Sequence, residues 1–424
     1  MNLIKLSWKY LTFRPLSTSL NIVLLALGLA IMTVLILIQD QFEKKVTTDA
    51  KGIDLVVGAK GSPLQLILSS VYHIDFPTGN IPMEEAQKLA KNRLVKGVIP
   101  LALGDNFKGF RIVGTTYDYL KVYELAPATG SLWELPFDVV LGSEVATQTA
   151  LKVGDSFAGS HGISVGSHDH DQHDYKVVGI LAQSGTVIDR LVLTSIESVW
   201  FTHDESEPES GVDSLGTILP SEPIDHEKFH QKVTVSGFPA SDQPREITSL
   251  LVQYRSPMAE IQLPRMINSR TLMQAASPSF EMARLFELLG VGVSLLQGLA
   301  VVLLVISGIG IFIALYNSLK ERKYDLAILR AIGASRFQLL SLVFLEGIML
   351  TLIGAVFGIL LGHVFLQILI AQNDSGVVAA FEPWIFLRAE LWLVLYALAV
   401  GLVASLIPAF SAYKTDIATQ LTQK

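Results

Sequence analysis

The chain contains no cysteine, so disulfide frameworks, thiolate nucleophiles and cysteine-ligated zinc or iron–sulfur centres are excluded. Charge is scarce too. Only 17% of its 424 residues are Asp, Glu, Lys or Arg, against roughly 25% in soluble domains. With a mean hydropathy of +0.46, an ordinary soluble protein is ruled out. A Gly-x-x-x-x-Gly-Lys-Ser/Thr loop is missing, and no Gly-Lys dipeptide occurs anywhere, so the backbone cradle and lysine that hold nucleotide phosphates are absent. The chain is expected not to hydrolyse ATP, nor to carry hydrolase chemistry of its own. No internal repeat of solenoid period is evident.

The sequence is rich in long apolar runs. Four of them, Thr18–Ile38, Leu288–Leu315, Leu339–Ile370 and Leu391–Ala409, reach the roughly 20 residues that cross a bilayer as helix. The first lies behind Lys5, Lys9 and Arg14 and has no clear small-residue cleavage site after it, which reads as an uncleaved anchor. Segments 1–17, 316–338 and 410–424 together hold ten Lys and Arg against Glu321, Asp325 and Asp416. The positive-inside rule puts all three in the cytoplasm. Segments 39–287 and 371–390 are net acidic and fall outside. The expected fold is a multispanning α-helical membrane protein with four transmembrane helices and a large α+β periplasmic domain inserted between the first and second spans.

In the 39–287 domain, β-type runs at Leu55–Val57, Arg111–Val113, Val139–Leu141, Lys176–Leu181, Leu191–Thr194, Lys232–Val235 and Leu250–Tyr254 alternate with expected helices at Pro82–Lys91, Glu144–Leu151 and Met258–Ser269. Pro82 sits where a first helical residue would, with Glu84 and Glu85 in the first turn. Two lobes are expected, with a long polar loop at Thr202–Asp225. Gln39–Ala50 and Ser279–Leu289 run into the first and second spans without a strong breaker, as helical stalks would.

Between the second and third spans, residues 321–336 read Glu-Arg-Lys-Tyr-Asp-Leu-Ala-Ile-Leu-Arg-Ala-Ile-Gly-Ala-Ser-Arg. This is a short amphipathic helix closed by Gly333 as a left-handed cap, then a new start with Ser335 and Gln338 spaced as a capping box. The segment resembles the cytoplasmic loop of the MacB/FtsX-like ABC transporter permeases, whose usual form is close to R-K-E-I-A-I-L-R-A-L-G-A-S-R. The resemblance extends to Val140-Leu141-Gly142-Ser143, Ala146, Leu151-Lys152-Val153-Gly154-Asp155 and Val177-Val178-Gly179-Ile180 in the external domain. It continues in Glu346-Gly347, Gly354, Gly358, Gly362 and Ile407-Pro408-Ala409. One departure is Asp416-Ile417, where the family often has Asp-Pro.

The resemblance implies the permease subunit of a type VII ABC system in a bacterial inner membrane. Two copies, or this chain and a sister permease, would join two ATPase subunits that bind ATP and Mg. It implies mechanotransmission, in which ATP-driven closure of the ATPases does work in the periplasm. By the same analogy Glu321, Arg322, Arg330 and Gly333 would seat on the ATPase. Further partners in this picture are a periplasmic or outer-membrane protein and membrane lipid, with no role for nucleic acid. Two alternatives stay open: a signalling complex that regulates a periplasmic protein, and a zinc-linked uptake or sensing component.

Within the membrane, Gly354, Gly358 and Gly362 fall at i, i+4 and i+8 on one helical face, where they admit a neighbouring helix at close range. Glu346 lies about seven residues into the third span, so it is either a hydrogen-bonded structural acid or functional. For a proton relay the other ionisable residue in view is His363, about 26 Å along the same helix. Outside, residues 160–174 place His161, His168, His170 and His173 among three aspartates. These are zinc-ligand types on a glycine-containing loop, and the competing reading is a hydrated hairpin tip. His226 and His230, at i, i+4 beside Asp225 and Glu227 with His203 upstream, form a weaker set. His73 reads as a core histidine.

Overall fold

The computed structural model describes residues 3–13, 15–159, 174–206, 231–241, 243–372 and 381–414. In chain order its elements begin with helices α1 (Leu3–Phe13) and α2 (Pro15–Asp49), strand β1 (Leu55–Ala59) and α3 (Pro63–Ser70). There follow β2 (Ile81–Pro82), α4 (Met83–Ala90), β3 (Val95–Phe107), β4 (Phe110–Gly114), α5 (Tyr117–Val122), β5 (Pro127–Gly130) and β6 (Asp138–Leu141). Next come α6 (Ser143–Thr149), β7 (Ser156–Phe157), β8 (Tyr175–Leu181), β9 (Leu191–Thr194), α7 (Ile196–Ser206), β10 (Glu246–Ile247) and β11 (Ser249–Tyr254). The chain ends on α8 (Pro257–Arg270), β12 (Met273–Ala276), α9 (Pro278–Glu321), α10 (Lys323–Ala331), α11 (Arg336–Ala371) and α12 (Arg388–Tyr413). These fall into two units, residues 44–286 and residues 1–43 with 287–424.

The 44–286 unit is α+β. Its sheet runs β12-β1-β11-β3-β4-β9-β6-β8-β5, with β7 added against β8. Most pairings are antiparallel, but β4–β9 and β6–β8 are parallel. Strand β3 belongs to both halves, pairing β11 through Val95–Leu101 and β4 through Ala102–Phe107. One core packs Leu55, Val57, Leu250 and Val252 against Ala86 and Leu89 of α4 and Leu263 and Ile267 of α8. A second packs Ile112, Val139, Leu141, Val177 and Val192 around Phe137, Phe157 and Tyr175. The two-lobed α+β character thus rests on two apolar clusters flanking one long strand.

Several local expectations are corrected. Pro82 is not the first helical residue: it closes β2, pairing Glu246, and only then does α4 start at Met83. Lys232–Val235 is no strand, because its backbone is satisfied residue by residue. Val233 N–H donates to the Glu134 carbonyl, Thr234 N–H to Glu197 Oε1, and Tyr117 N–H to the Val235 carbonyl. The loop expected from Thr202 begins later, since α7 continues through Ser206.

The last residues of α2 are rooted in this unit by polar contacts. Asp49 accepts from Lys45 Nζ at 3.1 Å and from Val187 N–H at 2.7 Å, while its carbonyl accepts the Tyr123 hydroxyl. Nearby His73 is buried and adopts a left-handed φ of 54°. Its Nε2 lies 3.1 Å from the Tyr119 hydroxyl. Burial, with the Arg111 guanidinium as a smaller cause, pushes its pKa from 6.5 down to about 3.

The other unit is helical. Four helices, α2, α9, α11 and α12, are long and apolar enough to cross a membrane, and each extends beyond the apolar run that marks it in the sequence. Helical structure also covers both expected stalk stretches. The glycines of α11 face α2. A Cβ built on Gly354 would come within 2.6 Å of Leu25, on Gly358 within 2.8 Å of the Ala26 carbonyl and Leu29, and on Gly362 within 2.7 Å of Thr33. On another face of α11, Gly347 and Thr351 meet Gly401 and Ser405 of α12. In the absence of a hydrophobic drive between helices in lipid, such backbone-close packing supplies much of the association.

Two outcomes follow. Gly358→Ala should loosen the α2–α11 seam by about 1–3 kcal/mol, whereas Gly298→Ala, with nothing within 4 Å of its added Cβ, should be neutral; thermal unfolding of the purified protein compares them. His73 is neutral in the fold and binds a proton more readily when unfolded, so its contribution is present above pH 6.5 and lost as pH falls toward about 3. Hydrogen exchange of residues 66–76 across that range should show protection falling with pH. In His73→Asn, which suits the left-handed backbone, this dependence should flatten.

Candidate coupling site at one end of the helical bundle

Helix α9 ends at Glu321, and the chain turns at Arg322 into α10. Burial of Leu326 and Ala327 sets the inward face of α10, which joins Leu319, Leu339, Leu342, Val343, Ala409 and Ala412 in one apolar cluster. Leu3, Leu6 and Tyr10 of α1 pack on the same cluster. The helix stops as its sequence dictates. Gly333 takes φ +108°, Ala334 N–H donates to the Leu329 carbonyl and Gly333 N–H to the Arg330 carbonyl, both at 3.0 Å. That is a Schellman closure. Helix α11 then begins with Ser335 and Gln338 in a reciprocal capping box.

Arg322 points inward. Its Nη1 donates to Glu346 Oε1 at 3.1 Å, with the two side chains 14% and 5% exposed. The guanidinium also lies 3.9 Å from the centre of the Tyr10 ring. Glu346 therefore has a partner among the described residues, and it comes from the turn before α10 rather than from His363. The intramembrane acid and one of the residues assigned to docking are one ion pair.

The other docking candidates do not share this place. Glu321 is exposed, Arg330 is half-buried and Gly333 is exposed. Outward, beside exposed Asp325, α10 presents an apolar row: Tyr324, Ile328 and the capping Ile332 are 56%, 36% and 79% exposed, and Phe337 at the start of α11 is 70% exposed. Charged neighbours from Glu321 to Arg330 mask this row in the sequence. The signal was present as apolar residues at i, i+4 and i+8 on the face opposite Leu326 and Leu329.

At the other end of the bundle, fully buried His363 has both ring nitrogens engaged. Nδ1 lies 2.6 Å from the Pro383 carbonyl and Nε2 3.1 Å from Glu390 Oε2. Glu390, the last residue of the 371–390 segment, is buried in the first turn of α12.

His161, His168, His170, His173, His226 and His230 lie outside the described residues. Among the described residues no group of three or more His, Asp or Glu is placed to hold a metal ion. Two strings of hydrolase type run against the expectation that the chain carries no hydrolase chemistry: residues 162–166 read Gly-Ile-Ser-Val-Gly and 226–230 read His-Glu-Lys-Phe-His. Such motifs gain meaning only from a strand–turn–helix or helical context, and both lie outside the described residues.

The MacB-like periplasmic core domain family model matches residues 18–235, and the FtsX-like permease C-terminal family model matches residues 298–417. The chain belongs to the MacB/FtsX-like ABC transporter permease family. Curated relatives include an uncharacterized ABC transporter permease, MJ1507, of Methanocaldococcus jannaschii, 27% identical over 130 residues. Another is the uncharacterized ABC transporter permease YknZ of Bacillus subtilis, 28% identical over 126 residues. The matched stretches span 31% and 29% of this chain, and 33% and 30% of those relatives. Among solved structures, the periplasmic region of MacB from Actinobacillus actinomycetemcomitans aligns with 57% of this chain and 97% of its own at 13% identity and a TM-score of 0.32. The extracellular domain of YknZ aligns with 53% and 99% at 12% identity and a TM-score of 0.29. At these scores the structural likeness adds nothing to the assignment. The protein is a membrane-embedded ABC permease with a periplasmic core domain.

Breaking one partner of a desolvated ion pair leaves the other charge buried. Glu346→Ala should therefore destabilise the helical unit by on the order of 3 kcal/mol. Glu346→Gln, which still offers an acceptor to Arg322, should cost less, and the double variant Arg322→Met/Glu346→Leu should recover part of the loss. Thermal unfolding in one detergent checks the order.

Proposed function

We propose that this permease works with separate ATPase subunits in the cytoplasmic, inner membrane. ATP and Mg binding there would be converted into conformational work by the periplasmic domain, exporting or extracting a periplasmic or membrane substrate. The observation that carries this reading is the outward apolar row of α10, Tyr324, Ile328 and Ile332 with Phe337 alongside. Leaving these side chains exposed in water is unfavourable, at roughly 25 cal/mol per Å² of apolar surface, and seating them in a groove of a soluble subunit removes that cost. Helix-in-groove docking uses anchors at this spacing.

Arg322 then acts as the tie between the docked helix and the span. It joins the turn before α10 to Glu346 in α11 and stacks on Tyr10 of α1, so displacement of α10 is shared with α1 and α11. Gly333 serves docking indirectly, by fixing where α10 ends and α11 begins. Glu321 and Arg330 remain rim candidates. A second permease copy or a sister chain completes the assembly, since two ATP sites form between paired ATPases.

The test is co-expression with the ATPase encoded alongside the permease, followed by co-purification and ATPase assay. Ile332→Asp or Phe337→Asp should abolish co-purification while leaving thermal unfolding of the permease unchanged, because both side chains are largely exposed. Undiminished association and ATPase stimulation in both variants would reject α10 as the seat.

A further inference from the structure

The inner ion pair has a counterpart at the opposite end of α11, built from residues the coupling scheme does not use. His363 is 0% exposed. Its ring lies near-parallel to Trp384, 7° between planes with centroids 5.7 Å apart, and against Phe386 at 4.5 Å. Trp384 Nε1 is itself held by Gln367 Oε1 at 3.0 Å. Beside this lies an apolar cluster of Leu37, Leu366 and Phe381, with Ile38, Phe42, Ile370 and Leu387 packed on it. Residue 382 is fixed to α2 by a double contact: Gln41 Nε2 donates to the Glu382 carbonyl at 3.1 Å and Glu382 N–H donates to Gln41 Oε1 at 2.7 Å.

The proton count around the ring is forced by chemistry. The Pro383 oxygen is a carbonyl and can only accept, so Nδ1 carries a hydrogen. Glu390 Oε1 accepts the Leu387 N–H at 3.0 Å, which leaves Oε2 facing Nε2 at 3.1 Å. A neutral imidazole with hydrogen on Nδ1 presents a lone pair at Nε2, and an ionised carboxylate presents another. Those two acceptors cannot sit at hydrogen-bond distance in a desolvated site without a proton between them. Among the described residues the charged groups adjoining this site in the chain are Arg388, in the same turn of α12 as Glu390, and Glu382 in the 381–387 segment, both exposed. Asp40 adjoins Gln41 on α2. On α11 the polar neighbour is the neutral Gln367.

We propose that His363 and Glu390 form a proton-binding site, in which one proton held between Nε2 and Oε2 closes a clasp joining α11, the 381–387 segment and the first turn of α12. The proton is conserved in the step: taken from water, it resides as an imidazolium N–H beside a carboxylate or as a carboxyl O–H beside a neutral ring, and returns to water when the clasp opens. No second buried acid is needed, and Glu346 plays no part. With the proton bound the clasp adds to the Gln41 and Gln367 contacts that hold segment 381–387, and its loss sets two acceptors against each other and weakens that hold.

The test uses the full-length protein in lipid nanodiscs near neutral pH, with ¹⁵N-histidine NMR and infrared difference spectroscopy on wild type, His363→Gln and Glu390→Gln. An imidazolium signal lost in His363→Gln, or a carboxylic acid band lost in Glu390→Gln, is the expected result. A neutral ring together with an ionised Glu390 would overturn the proposal. Hydrogen exchange of residues 381–392 supplies a second reading. Glu390→Gln, whose amide donates to Nε2 and still accepts the Leu387 N–H without any added proton, should keep the wild-type protection, whereas His363→Leu, which removes the bond, should lower it. Equal protection in His363→Leu and wild type would also sink the idea.

Discussion

A carboxylate among apolar side chains at the end of a membrane helix must be matched, and in this permease Glu346 is matched by Arg322. Isolated, either group would be expensive to bury; together, with the guanidinium laid over Tyr10, they form a unit that a shift of α10 would have to drag along or tear apart. Because Arg322 stands directly before α10, the pair anchors that helix at its start. Leu326 and Ala327 go to the core, and the Tyr324–Ile328–Ile332 row is left outward. The outward apolar row is what remains once Leu326 and Ala327 are buried.

The rest of the bundle packs closely around small residues. Three glycines of α11 lay its backbone against α2, and Gly347 and Gly401 do the same between α11 and α12. Gly358 meets the Ala26 backbone directly, whereas Gly354 and Gly362 receive the Leu25 and Thr33 side chains. Polar links at the far end, from Gln41 to residue 382 and from His363 to Pro383 and Glu390, close the same helices there.

What could be read in the sequence was local or periodic. The Gly333 stop, the Ser335–Gln338 start and the glycine face of α11 are spelled in neighbouring residues, and all appear where their spelling puts them. The four spans were visible as apolar runs, although their helices extend into more polar sequence. Partnerships set by tertiary return were invisible. Nothing in the spacing of residues 322 and 346 says that the chain folds back to join them, and nothing marks Glu390 as the acid beside His363. Lys232–Val235 was misread because strand propensity does not reveal whether a neighbouring strand exists. Pro82 was misread because a proline suits the end of a short edge strand as well as the start of a helix.

Strand β3 gives the periplasmic domain a mechanical character of its own. Its first half is zipped to β11 and its second to β4, so the two lobes are sewn onto one continuous backbone rather than hinged on a loop. Ladder hydrogen bonds lie across the strand axis. Tension along β3 would load each set in shear, where the bonds share the force and must give way together. The lobes would be poor at nodding independently and good at passing on a pull.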